Sequence, residues 1–272
     1  MHNYHGKDLA SADWLMTHFR AKSPQRMDQI IRLPIKSGSR VLDACSGPGI
    51  FARYFMPMIG ETGYLLCIDH DPINVDIAER NLFNSGFDNW AAKCDDIVSV
   101  LDIASDFDVI TIFNAICYLE NPEEFIKKLA SRMKKGSRII VKDFDLSFMG
   151  FSAISQINWG NLVHQATAGN ETANPLPYDN FYGRKVHLLH RVSDFSGHEN
   201  LVWTQHLNFP FSDASKKYIW ENIRSLLDQS KSFPGTKLNR YFTSAFSIDS
   251  GWFFEDVEAV FIENEFLTVL TV

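Results

Sequence analysis

Between residues 39 and 145 short apolar runs alternate with segments of helical period, and this alternation constrains the fold more than any other feature of the chain. "SRVLDAC", "GYLLCID", "WAAKCD", "FDVITIFNA" and "SRIIVKDFD" have the length and β-branched content of strands. Between them "IFARYFMPMIG", "PINVDIAERNLFNSG" and "PEEFIKKLASRMKKG" repeat apolar residues at helical spacing and end near glycine. A crossover helix that joins two parallel strands is right-handed and hides one face of the sheet, so a series of them covers both faces. The expected class is α/β, with a doubly wound and mainly parallel sheet.

Outside this stretch the pattern is looser. Residues 8–33 read as one or two helices, residues 146–178 carry a helix-like stretch, "SAISQINWGNLVHQATAG", and then a loop with Pro175 and Pro177, and residues 180–193 are helix-like again. "LVWTQHLNFPF" then reads as a strand, and "SDASKKYIWENIRSLLDQS" as a helix with a Ser/Asp cap and Ile219, Ile223, Leu226 and Leu227 on one face. The closing "EAVFIENEFLTVLTV" reads as a final strand, which makes seven. Residues 1–38 are expected to form an N-terminal helical lid, 39–145 the ligand-binding core, and 146–272 cap helices plus the last strands of the same domain.

Composition narrows the partners. A net charge of -7, from 26 Lys and Arg against 33 Asp and Glu, supplies no basic field for a phosphate backbone, so no nucleic acid partner is expected. No run of about 18 apolar residues marks a membrane span, and the N-terminus has neither a signal core nor an Arg-rich presequence, so a cytoplasmic location and no membrane partner are expected. Cys45, Cys67, Cys94 and Cys117 form no Cys-x-x-Cys pair, and no metal is expected.

"RVLDACSGPGIFARYF" lies where the first strand of the alternation ends. Open parallel sheets bind ligands at the carboxyl ends of their strands, where the strand order reverses. Gly47 and Gly49 permit a tight turn there and a close backbone approach. "GPGIFA" fits a dinucleotide pattern, with Asp69 placed 20 residues beyond Gly49 for a ribose. Asp43 distinguishes the possible ligands, because a carboxylate inside the turn repels a pyrophosphate and attracts an aminoacyl ammonium.

These residues resemble the class I S-adenosylmethionine-dependent methyltransferases, especially the small-molecule and quinone-biosynthesis types. The usual first motif is D-x-G-x-G-x-G; here Asp43, Ala44, Cys45, Ser46, Gly47, Pro48 and Gly49 stand in its place, with Cys45 at the first glycine. The resemblance implies a Rossmann-like, mainly parallel seven-stranded sheet with a helical cap and an antiparallel last strand. It implies S-adenosylmethionine as cofactor, with Asp43, Ala44, Cys45, Gly47 and Gly49 around the methionyl part. Asp69 would take the ribose hydroxyls and His70 would lie along the adenine. Asp95 would accept from the adenine amino group, Asp96 would offer its backbone N–H, and Asn114 would line the methyl-donor crevice.

The implied reaction moves a methyl group to O, N or C of a small organic acceptor by a monomer or homodimer. For a phenol or enol acceptor, His164 is the expected base and Tyr118 an orienting donor. The strand end reads Asn-Ala-Ile-Cys, not the Asn/Asp-Pro-Pro-Tyr/Phe that serves base amines in nucleic acid. His187 and His190 have no third ligand placed near them, and His206 falls on the polar face of a strand. Cofactor binding without methyl transfer, as in a cyclase or binding protein, is the main alternative; a nicotinamide-dependent oxidoreductase is disfavoured by Asp43.

Overall fold

The computed structural model describes residues 11–173, 178–230 and 237–272. Seven strands form one sheet in the order β3-β2-β1-β4-β5-β7-β6. They are β1 (Arg40–Ala44), β2 (Tyr64–Asp69), β3 (Trp90–Cys94), β4 (Val109–Phe113), β5 (Arg138–Phe151), β6 (Gly197–Asn208) and β7 (Val260–Thr271). The pairs β1/β2, β2/β3, β1/β4 and β4/β5 are parallel. The last strand is antiparallel: Val272 pairs with Gly136 and Val260 with Ser152 on the β5 side, while Thr271 pairs with Ser196 and Ala259 with Phe209 on the β6 side. The order reverses between β1 and β4, which places the switch point of the sheet at the ends of "RVLDA" and "VITIF".

The chain divides into two compact units. One contains Pro24–Phe144, Tyr182–Trp203 and Glu265–Val272. Its core packs Leu42, Ile68, Ile110 and Ile112 of the strands against Ile126 and Leu129 of α5 (Pro122–Arg132), all nearly or fully inaccessible. Continuous burial of β4 on both faces is what a central parallel strand requires. The helices α2 (Ala52–Ile59), α3 (Pro72–Phe83) and the short α4 (Val100–Ile103) provide the crossovers together with α5, and α3 starts with Asp71 accepting from the Ile73 N–H and with proline in its first turn.

The other unit contains residues up to Ser23, Asp145–Phe181 and Thr204–Asn264. Here α6 (Gln156–Ala173), α8 (Asp213–Gln229) and α9 (Lys237–Phe246) build an aromatic core with Phe151, Phe253, Phe254 and Phe261. Ser212 caps α8 by accepting from the Ser215 N–H at 3.1 Å, and Ile219, Ile223, Leu226 and Leu227 form the buried face. Trp159, Phe253 and Phe254 are core residues, whereas Trp252 is exposed. The chain passes between the units inside α1 (Ala12–Ile30), β5, β6 and β7, and between Phe181 and Tyr182.

Two expectations on local structure change. The fifth strand, expected to end at Asp145, continues to Phe151, because Leu146, Met149 and Phe151 are buried among the aromatic side chains, and α6 starts at Gln156 within the stretch read as helix-like. The segment 180–193 forms only one short helix, α7 (Gly183–Val186), and a 3₁₀ turn at Leu189–Arg191. Within it His187 Nε2 lies 3.1 Å from the Leu201 carbonyl oxygen and His190 Nδ1 2.7 Å from that of His187, so each ring has a backbone partner. Pro175 and Pro177 lie outside the described residues.

Candidate active site

The first strand delivers Asp43 into the sheet interior. Its Cα partners are Cys67 on β2 and Thr111 on β4, and the side chain is only 2 % exposed. The Thr111 hydroxyl donates to Asp43 Oδ1 at 2.6 Å. Burial nevertheless pushes the carboxyl up to about 7; the Thr111 hydrogen bond opposes this shift and the Asp69 charge adds to it. An acid held near neutrality at a strand end is poised to ionise when a cation arrives beside it.

Past Ala44, which is fully buried, Cys45 has φ 57°. This left-handed backbone is the one glycine adopts without cost, and an ordinary residue there loses about 1–2 kcal/mol. Thus Cys45, at the place of the first glycine of the usual motif, adopts a backbone conformation that favours glycine. Burial, followed by the charges of Asp69, Asp96 and Asp43, raises the Cys45 thiol well above its ordinary value, so it is a neutral small group and not a nucleophile.

Gly47 and Gly49 also have positive φ, at 54° and 67°. The structure gives Gly49 a packing reason: a Cβ there would lie 2.9 Å from Ala78 Cβ and 3.0 Å from Ala78 Cα on α3. Gly49→Ala therefore combines backbone strain with a clash and is expected to destabilise the fold by about 2–4 kcal/mol. Urea denaturation checks this; a midpoint equal to wild type would show that α3 yields freely.

Asp69 ends β2 and holds the glycine turn. Its Oδ2 accepts from the Gly47 N–H at 2.7 Å, while Oδ1 accepts from the Asp71 N–H at 3.0 Å and from Asn74 Nδ2 at 3.2 Å. A carboxylate offers about four lone-pair positions, so these three donors leave capacity for a sugar hydroxyl. His70 follows at the rim with its side chain 35 % exposed. On the next strand end, the Asp95 backbone N–H donates to the Asp69 carbonyl oxygen at 3.0 Å, tying β3 to β2.

The Asp95 side chain takes the Lys93 ammonium at 2.5 Å and the Asp96 N–H at 2.9 Å. Lys93 first, and then the Asp96 N–H, hold its carboxyl below the usual range. Asp96 itself caps the 3₁₀ turn Ile97–Ser99, accepting from the Val98 N–H at 2.9 Å. The N–H expected to face adenine is thus directed at Asp95 in this state.

Asn114 follows β4 with φ 53°, a conformation Asn tolerates better than most side chains. Its backbone N–H donates to the Lys142 carbonyl oxygen at 2.7 Å, and its side-chain Oδ1 accepts from Lys142 Nζ at 2.5 Å. Tyr118 ends the 3₁₀ turn Ile116–Tyr118 just beyond and is half-buried. His164 lies on α6 in the other unit and is exposed.

One unit therefore gathers Asp43, Ala44, Cys45, Gly47, Gly49, Asp69, His70, Asp95, Asp96, Asn114 and Tyr118 onto the ends of four consecutive parallel strands. Sequence reasoning missed Thr111, Asn74 and Lys142, which hold three of these side chains. Lys142 carried a signal: a lysine within "IIVKDFD" interrupts a run that a doubly covered strand must bury.

A buried acid stands beside a glycine turn at the switch point of a Rossmann-like sheet, the place where open α/β sheets bind their ligands. Residues 16–193 match the model of a methyltransferase-domain family, more than half of the chain, and the chain belongs to that family, in the class that uses S-adenosylmethionine. It is 26% identical over 196 residues to a protein named ubiquinone/menaquinone biosynthesis C-methyltransferase from Edwardsiella ictaluri, covering 72% of this chain and 63% of that relative. The chain spans 43% of the length of the Pseudomonas aeruginosa proteins of the same name. A Geobacter sulfurreducens S-adenosylmethionine-dependent methyltransferase solved with S-adenosyl-L-homocysteine shares the fold, with TM-score 0.54, 14% identity and coverage of 97% and 99%. So does the [4+2]-cyclase SpnF, with TM-score 0.51, 15% identity and coverage of 91% and 80%. Among the described residues no helix is long and apolar enough to cross a membrane.

Proposed function

We propose that this protein moves the methyl group of S-adenosylmethionine to O, N or C of a small organic acceptor. The observation that carries the reading is the buried Asp43 carboxyl at the switch point, held by Thr111 and raised to about 7, beside a glycine turn. Its ionised form pairs with the ammonium of a methionyl tail. Asp69 fits the ribose through its remaining acceptor capacity, His70 covers the adenine face, and Asp95 accepts from the adenine amino group once the Asp96 N–H turns to the ring. The cofactor supplies an electrophilic methyl on a sulfonium when bound. Asn114 and Tyr118 border the reacting end, where the protein's task is to align the acceptor and exclude water.

His164 is retained as candidate base for a phenol or enol on sequence grounds, with Tyr118 as orienting donor; an amine acceptor requires no strong base. The cyclase among the fold neighbours favours one further reading, a chain that binds the cofactor and transfers nothing. Incubating the protein with methyl-labelled S-adenosylmethionine and a small-molecule extract separates the two. Transfer of label to a low-mass product is the expected result; cofactor binding with label in no product would move the reading to the second.

A further inference from the structure

A chain of charged and amide side chains runs through the interior of the unit that holds the candidate site. Arg26 Nη2 donates to Glu265 Oε1 at 2.5 Å, Glu265 Oε2 lies 3.4 Å from Lys142 Nζ, and Lys142 Nζ donates to Asn114 Oδ1 at 2.5 Å. Side chains of Arg26, Glu265 and Lys142 are at most 2 % exposed. The Phe51 ring lies 5.4 Å from the Arg26 guanidinium and 5.7 Å from the Lys142 ammonium, and Phe113 lies 5.6 Å from that ammonium. Buried ions are costly even when paired, and the best-attested use of such pairs is to fix one arrangement against another. Here the chain ends on Asn114.

What is fixed is the polarity of the Asn114 amide. An ammonium only donates, so the atom facing Lys142 is the amide oxygen and the Nδ2 hydrogens are directed away from it. Among the described residues none accepts from Asn114 Nδ2, and the residue is half-buried at the switch point. Its backbone is held as well, by the N–H donated to the Lys142 carbonyl. The strand end thus presents two N–H donors at a defined place, three residues beyond Thr111, the partner of Asp43. A zwitterionic amino-acid tail carries an ammonium for Asp43 and a carboxylate that such donors fit.

We infer that Lys142, set by Glu265 and Arg26, is a positioning residue that aims the Asn114 side-chain N–H groups at the carboxylate of the cofactor's amino-acid tail. The inference rests on the cofactor reading above. Its test compares S-adenosylhomocysteine with 5'-methylthioadenosine, which has the same adenosine and sulfur but no amino-acid tail, by calorimetry on the full chain.

Asn114→Asp keeps an oxygen for Lys142 and the tolerated backbone conformation, and replaces the outward donors by an anionic oxygen. It is expected to weaken S-adenosylhomocysteine at least about tenfold more than 5'-methylthioadenosine. Lys142→Met is expected to weaken the first ligand selectively as well, and Asn114→Asp added to it should cost less than in wild type, because the two act as one device. Should Lys142→Met not fold, Asn114→Asp alone decides. Equal losses for both ligands, or none for either, would overturn the inference while leaving the cofactor reading intact. A wild-type chain that binds neither ligand overturns both.

Discussion

Replacing Asp43 by asparagine is expected to weaken S-adenosylhomocysteine about a hundredfold at pH 8, the size of a lost charge-assisted hydrogen bond to a buried carboxylate. The fold should respond in the opposite direction. The asparagine side chain keeps an acceptor for the Thr111 hydroxyl and removes a buried charge, so the unliganded variant is expected to be more stable than wild type at pH 8.

The same residue sets a pH dependence. With the carboxyl near 7 in the folded protein, about nine-tenths of it is protonated one pH unit lower, and binding an ammonium there must release that proton. Affinity is therefore expected to fall about tenfold per pH unit below 7 in wild type and to stay flat in Asp43→Asn. The unfolded chain binds fewer protons than the folded one between pH 4 and 7, because the folded value is raised from about 3.8. The Asp43 contribution to unliganded stability is thus fully present below about pH 4 and lost as pH rises through 7. Asp143, raised by burial to about 6, acts in the same direction. Calorimetry in buffers of different ionisation enthalpy counts the released proton, and a count of zero at pH 6 would contradict the assignment.

Truncating Glu265 should have the largest effect on folding. Glu265→Ala leaves Arg26 and Lys142 without the carboxylate that lies 2.5 Å from one and 3.4 Å from the other, deep in the same unit. Removing one partner from a buried ionic network costs about 3–5 kcal/mol. The comparison is the exposed Glu124–Lys128 pair of α5, at 3.6 Å, where Glu124→Ala should change stability by about 0.5 kcal/mol or less. Chemical denaturation of the two variants side by side reads the contrast. Equal midpoints would mean that the interior cations find water or other partners when Glu265 is removed.

These effects also mark which parts of the molecule could be read from the chain. The β1 to β5 alternation was legible because strand length, β-branching and terminal glycines are local properties, and Asp43, Gly47 and Asp69 stand at fixed offsets from strand ends. The extension of β5 was not, because Leu146, Met149 and Phe151 lack strict alternation and their burial depends on distant aromatic residues such as Phe246, Phe253 and Phe261. On α1 the residues Trp14, His18, Lys22 and Arg26 recur every four positions, which in sequence resembles a solvated helix face. Partners more than 200 residues away account for the burial of two of them: Lys22 pairs with Glu263, whose side chain also accepts from the Tyr218 hydroxyl at 2.7 Å, and Arg26 pairs with Glu265. The left-handed turn at Cys45 was hidden because a motif records residue type and not φ.

One crevice is assigned one ligand, and titrating the purified chain at pH 8 with S-adenosylhomocysteine and, separately, with NADH tests that assignment most directly. One S-adenosylhomocysteine bound per chain and no heat from NADH is the result expected of a buried acid facing an ammonium. Saturable NADH binding with none of S-adenosylhomocysteine would contradict it.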